Sequence, residues 1–259
     1  MSALPTVLVT GASSGIGATY AERFARRGHD LVLVARDKVR LDALAARLRE
    51  EAGVAVDVLR ADLNDVADLE TVAARLRDDA RIGILVNNAG AALAGGFDAQ
   101  AWADVERLIA LNTTALVRLA HAVAPRFAQA GQGSIINIGS VVGLAPEFGQ
   151  TVYGATKAFV LFLSQGLSHE LGPKGVYVQA VLPAATSTEI WARAGADTSA
   201  LPPMMAVGDL VDAALAGFDL REQVTIPPLH NVEHWEAYQG ARHVMLPGFA
   251  QDQPAPRYR

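Results

Sequence analysis

Short apolar runs alternate with longer stretches of helical periodicity along most of this chain. Residues 6–10, 31–35, 54–59, 84–87, 134–138 and 176–181 form the short runs, several of them nearly unbroken and rich in Val, Leu and Ile. Runs of this kind suit strands covered on both faces. Helical patterns lie between them at 18–27, 38–52, 67–78, 101–129 and 152–171. A further helix at about 208–218 and a seventh strand at 223–226 follow. This rhythm predicts an α/β fold, a doubly wound parallel sheet of about seven strands with helices on both faces. No linker, repeat or low-complexity block divides the chain, so residues 1–259 read as one domain. A substrate lid is expected at about 190–207, and a C-terminal extension at about 227–259 with a helix near 232–242. The polar tail, 251–259 with Pro254 and Pro256, is expected to be loosely ordered unless a partner holds it.

Composition narrows the choices. Hydrophobic residues make up 51% of the 259 positions, enough for a substantial core. The net charge of -5 gives no electrostatic case for nucleic acid. The chain has no cysteine, which removes disulfides, thiolate metal ligands and cysteine nucleophiles. The first residues enter an apolar strand with no basic leader, and no apolar run reads as long and uninterrupted enough to span a bilayer. A soluble cytoplasmic protein is the expectation.

The first strand ends in Thr10-Gly11-Ala12-Ser13-Ser14-Gly15-Ile16-Gly17, followed by a helix. Glycines allow the backbone to approach a phosphate closely, and a helix N-terminus offers unpaired amides with partial positive charge. The G-x-x-x-G-x-G spacing differs from the G-x-G-x-x-G dinucleotide fingerprint, and no lysine follows as in a nucleotide-triphosphate loop. After the second strand stand Ala35 and Arg36, where an NAD-selective site would carry an acid. Arg36 can pair with a 2′-phosphate, so NADP is favoured and NAD stays possible. Asp37 follows, and could turn toward a ribose or neutralise Arg36.

Tyr153-Gly154-Ala155-Thr156-Lys157 places a phenol and an ammonium four residues apart, on one helix face. A tyrosine titrates near pH ~10, and a cation one turn away can stabilise its phenolate. Only three lysines occur, Lys38, Lys157 and Lys174, which makes the pairing less easily accidental.

Along nearly its whole length the chain resembles the short-chain dehydrogenase/reductase family, a group of Rossmann-type enzymes. The resemblance rests on ordered pieces: Thr10 to Gly17, Asp62-Leu63, Asn87-Asn88-Ala89-Gly90, Asn112, Ser140, Tyr153 to Lys157, and Pro183-x-x-x-x-Thr188. It implies hydride exchange between NAD(P) and a carbonyl or secondary alcohol, with neither metal nor covalent intermediate. Gly11, Ser13 and Ile16 would line the pyrophosphate and ribose, the cofactor site also taking in Ser14, Gly15, Gly17, Ala89 and Pro183. Asp62 and Leu63 would bracket the adenine, Asn88 and Gly90 would lie near the ribose, and Thr188 would hold the carboxamide. Tyr153 would be the general acid/base, Ser140 a hydrogen bond to the substrate oxygen, and Lys157 a contact to ribose that also lowers the Tyr153 pKa. Asn112 would anchor a water that relays protons from Lys157. The sequence departs from the family at Ala184, where glycine is usual, and in lacking the usual glycine-rich final turn. A homo-oligomer is implied, dimer or tetramer, with transfer of the usual tetramer in doubt.

Val141, Val142, Trp191, Met204 and Met205 are the candidate apolar substrate wall. His230-x-x-Glu233-His234 matches a zinc-hydrolase pattern, but it follows Pro227-Pro228 and lacks a third ligand, so no metal is expected. From another class, a nucleotide sensor or scaffold on the same fold is the alternative function. The complete set of Asn112, Ser140, Tyr153 and Lys157 argues for the enzyme.

Overall fold

In the computed structural model the described residues are 4–190, 194–195 and 203–259. They divide into two compact units, Met1–Pro227 and Pro228–Arg259. The first unit holds strands β1 (Thr6–Thr10), β2 (Leu31–Ala35), β3 (Val56–Arg60), β4 (Ile82–Asn87), β5 (Ser134–Ile138), β6 (Tyr177–Val181) and β7 (Val224–Thr225). They form one parallel sheet in the order β3-β2-β1-β4-β5-β6-β7. All residues of β1, β2, β5 and β6 are buried, as the continuous apolar runs demand when helices cover both faces.

Alternation along each strand supplies two cores. Val7, Val9, Leu31 and Leu33 meet Tyr20 and Phe24 of α1 (Gly15–Arg26), Leu41 and Leu48 of α2 (Lys38–Ala52) and Leu210 of α7 (Val207–Asp219). On the other face Leu8, Val32, Leu85 and Ile135 meet Val72 and Leu76 of α3 (Val66–Asp78) and Leu119, Val123 and Phe127 of α5 (Leu116–Ala130). Helix ends follow capping chemistry. Asp37 and Asp65 accept amides of the first turns of α2 and α3, and Gly53 and Gly131 close α2 and α5 in the left-handed region.

One expectation changes here. The 101–129 pattern is not a plain α-helix: α4 (Trp102–Ile109) passes through a π turn, Ala110–Ala115, into α5. Apolar periodicity does not reveal one wide turn inside a continuous helix. The π turn carries Asn112 inward, where it is 2% exposed. The segment Trp102–Ala130 is also long and apolar enough, by length and composition, to cross a membrane. That differs from the sequence reading. Val105, Leu108, Leu116, Leu119, Val123 and Phe127 within it are buried in the protein.

The sheet order reverses direction between β1 and β4, which opens a crevice at the carboxyl ends of the strands. Helix α6 (Thr151–Leu171) runs along one side of it and packs on β5 and β6. In the second unit α8 (Val232–Met245) is capped by Asn231, which accepts the Glu233 amide. Trp235 and Tyr238 stack at 5.5 Å, and no residue of α8 is buried. The tail ends in a single 3-10 turn, Pro256–Tyr258.

Candidate active site

A cleft of about 700 Å³ occupies the crevice. The glycine turn after β1 forms one wall, with Gly11, Ser13, Ser14, Gly15 and Ile16 lining it and Gly17 packed behind. Gly11 has φ +67°, and a Cβ there would stand 2.7 Å from Nδ2 of Asn88. Only glycine fits that conformation and that approach. Asn88 braces the turn by donating to the carbonyls of Thr10 at 2.8 Å and Gly11 at 3.3 Å. The Thr10 hydroxyl accepts the amides of Asn88 and Ala89, each at 3.0 Å, and donates to the Val86 carbonyl. Helix α1 has no acidic residue in its first turn, so its positive end faces the cleft without a local carboxylate. These features fit an anionic group such as a pyrophosphate.

The floor at the other end comes from β5, α6 and the π turn. Ser140, Tyr153 and Lys157 all line the cleft. Gly143 lets the 3-10 turn Val141–Leu144 press on α6, since a Cβ there would lie 2.6 Å from the Lys157 carbonyl carbon and the Ala158 amide. That contact holds the turn beside α6, with Ser140 near enough to the Tyr153 phenol to pull its pKa down. The Ser140 hydroxyl donates to the Pro183 carbonyl at 3.2 Å and accepts the Val142 amide at 3.2 Å. Lys157 donates to the Ile138 carbonyl at 2.9 Å, with Nζ 5.7 Å from the centre of the Tyr153 ring.

Electrostatics at this floor are governed by desolvation. Burial pushes the Tyr153 phenol up to about 12 against a smaller downward pull from Ser140, and pushes the Lys157 ammonium down to about 8. The expected lowering of the Tyr153 pKa is therefore absent. The low-dielectric wall that disfavours the phenolate outweighs the pull from Ser140.

Asn112 does not line the cleft. Its Oδ1 accepts the Ala91 amide at 2.9 Å, and its Nδ2 donates to the Ala91 carbonyl and to Thr156 Oγ1, each at 3.0 Å. Both amide hydrogens are thus engaged by protein groups, which makes the side chain a strut between the β4 end and α6. Thr156 completes it by donating to the Tyr153 carbonyl at 2.7 Å. The sequence reading missed Thr156, Gly143 and Thr10 as site-forming residues. A small residue three positions after a tyrosine is the sole signal for Thr156.

Arg36, Asp62, Leu63, Asn88, Ala89 and Gly90 line the cleft toward β2 and β3. Asp37 does not neutralise Arg36. Its Oδ1 accepts the Arg40 amide at 3.0 Å as the cap of α2, and its Oδ2 lies 3.4 Å from Arg40 Nε. Asp62 lines the cleft while its Oδ1 also accepts the Asn64 amide at 3.0 Å. On the far lip stand Pro183, Thr188 and Glu189. Ala184 sits there without strain, for Arg221 is the single non-glycine residue with positive φ among the described residues.

The apolar wall is largely different from the one expected. Val142 lines the cleft, whereas Val141, Met204 and Met205 do not. Met205 is tied to the cleft-lip segment by a bridge to Thr186, donates its amide to the Ala185 carbonyl at 3.0 Å, and packs on the core beneath. Met204, its neighbour in an extended segment, faces outward and is exposed. Trp191 and most of the expected lid at 190–207 fall outside the described residues. Leu93 and Leu111 line the cleft and were not anticipated. Among the described residues no three His, Cys, Asp or Glu side chains cluster as metal ligands. His230 and Asn231 precede α8, so the H-x-x-E-H pattern is not carried on one helix.

Comparison with known proteins agrees with this geometry. The family model described as short chain dehydrogenase matches residues 5–199. A very-long-chain 3-oxoacyl-CoA reductase of Anas platyrhynchos is 34% identical over 190 residues, which cover 71% of this chain and 60% of that protein. The chain thus spans about three fifths of the length of that curated reductase. A short-chain dehydrogenase from Sphingobium yanoikuyae, solved in complex with NADPH, is 71% identical with a TM-score of 0.97, over 99% of this chain and 100% of that one. The bulky-bulky ketone specific alcohol dehydrogenase from Comamonas testosteroni, in its orthorhombic crystal form, is 62% identical with a TM-score of 0.93, over 99% of both chains.

Proposed function

This chain belongs to the short-chain dehydrogenase/reductase family, and on that premise we propose that it interconverts a bulky, largely apolar ketone and its secondary alcohol with NADP as the preferred cofactor. The observation that carries the reading is the meeting of Tyr153, Ser140 and Lys157 in one cleft with an anion-binding turn. A nicotinamide dinucleotide bound there supplies the hydride for reduction, or accepts it for oxidation.

The chain's own groups handle charge and protons. Reduction builds negative charge on the carbonyl oxygen, and preorganised donors lower that barrier. Ser140, held between Pro183 and Val142, offers one such donor once its hydroxyl turns from the Pro183 carbonyl to the substrate oxygen. Tyr153 gives the proton. With a pKa pushed up to about 12 the phenol stays protonated at neutral pH, and it remains a far stronger acid than the alcohol it forms. Lys157 is held by Ile138 within reach of the same ring and balances the charge left on the phenol oxygen. Asn112 and Thr156 act as positioning residues that fix α6 against the β4 end.

Arg36 supports NADP, since it lines the cleft beside Ala35 and forms no ion pair among the described residues. The Sphingobium relative's complex with NADPH favours the same choice. A bulky substrate is supported by the cleft volume, by Leu93, Leu111 and Val142 in its wall, and by the Comamonas relative's ketone specificity. Phe159 and Phe162 of α6 are 41% and 80% exposed, which supports burial against a second copy in a homo-oligomer. Dependence on the reduced cofactor pool favours a cytoplasmic setting.

Mixing the protein with NADPH and ketones of graded size on both sides of the carbonyl tests the reading. Absorbance at the NADPH band should fall fastest with the bulkier apolar ketones. Tight NADPH binding with no turnover of any ketone would favour the nucleotide sensor instead.

A further inference from the structure

Arg40, the third residue of α2, does not line the cleft itself but pairs with a carboxylate that does. Its Nη1 donates to both carboxylate oxygens of Glu189, at 2.9 and 2.8 Å. Its Nε faces Asp37 at 3.4 Å, and Nη2 has no partner among the described residues. Glu189 belongs to the lip that carries Thr188, and Arg36, Asp37 and Glu189 all line the cleft. A cation from the β2–α2 side thus holds a carboxylate from the opposite lip. The two side chains are 47% and 49% exposed, so water screens their attraction and the pair exchanges readily. A guanidinium that accepts a carboxylate accepts a phosphate by the same geometry, and a phosphate carries more charge. The Asp37 carboxylate already caps the amides at the start of α2, so the pull on an anion here comes from the guanidinium groups.

We propose that Arg40 is a second cation for the 2′-phosphate, beside Arg36, and that Glu189 is a built-in substitute holding its guanidinium until the phosphate displaces it. The inference rests on the NADP preference proposed above. NADH has no 2′-phosphate and leaves the pair intact, so Arg40 serves discrimination rather than binding in general. Glu189 then works against NADPH, because its carboxylate competes for the same cation. A simple strap across the mouth has the opposite signature: loss of either partner would weaken both dinucleotides alike.

Fluorescence titration of wild type, Arg36→Ala, Arg40→Ala and Glu189→Gln with NADPH and NADH at low salt separates these cases. Arg40→Ala should weaken NADPH about tenfold and change NADH less than about twofold. Glu189→Gln should tighten NADPH about threefold and leave NADH unchanged, a gain that misfolding cannot produce. Equal weakening of both cofactors by Arg40→Ala, or weaker NADPH binding in Glu189→Gln, would overturn the inference. A wild type that binds NADH as tightly as NADPH would defeat the cofactor reading beneath it.

Discussion

The two ends of the cleft are built by different physics. At the reacting end Asn112, Thr156, Lys157 and Ser140 are each under 10% exposed and are joined by hydrogen bonds of 2.7 to 3.2 Å without a single ion pair. At the β2–α2 rim Arg36, Asp37, Arg40 and Glu189 are exposed, and Arg40 pairs ionically with Asp37 and Glu189. Buried neutral hydrogen bonds resist salt and fix geometry, whereas exposed charges are screened and exchange partners. Proton transfer is therefore expected of the buried floor, and cofactor choice of the exposed rim.

Perturbing the floor should cost most. Lys157→Met is expected to lower ketone turnover by about 10³-fold, since it removes the one cation found over the Tyr153 ring among the described residues, and single-turnover kinetics would measure it. Ser140→Ala should follow at about 10²-fold in kcat with little change in NADPH affinity. Thr156→Val leaves an Asn112 amide hydrogen unpaired and removes the hydroxyl's added bond to the Tyr153 carbonyl. It should cost about 1–3 kcal/mol of stability and about tenfold in kcat, with Thr156→Ser restoring both. A Thr156→Val enzyme of normal kcat and lowered stability would limit the strut to a structural role.

The buried lysine also leaves a signature in stability. Its folded pKa of about 8 lies below the 10.5 of the unfolded chain, so between these values the unfolded state binds more protons and stability rises with pH. The gain is about 3 kcal/mol, complete near pH 10.5, and denaturant titrations of Lys157→Met should lack it. A pH dependence identical to wild type would mean the ammonium is better solvated than its 6% exposure implies.

Much of the fold was legible because covered parallel strands write themselves as apolar runs. The strands at 6–10, 31–35 and 134–138 and the helix at 38–52 coincide with the observed elements. The π turn at Asn112 escaped, since one wide turn leaves the surrounding helical pattern intact. Tyr153 and Lys157 were readable from helical spacing, and Ser140 only through the family resemblance. Met204 and Met205 were misread as cleft residues because the bridge to Thr186 decides which way they face. Arg40 and Glu189 are 149 residues apart, and no local pattern joins them.

The separation of floor and rim is tested most directly by a double-mutant cycle between Tyr153→Phe and Arg36→Ala, reading single-turnover ketone reduction and NADPH affinity together. Tyr153→Phe should abolish measurable turnover at unchanged affinity. Arg36→Ala should weaken NADPH about tenfold at near-normal saturated rate, and the double variant should bind NADPH as Arg36→Ala does, within about 0.5 kcal/mol. Near-normal turnover in Tyr153→Phe, or a coupling in affinity above about 1 kcal/mol, would contradict the account.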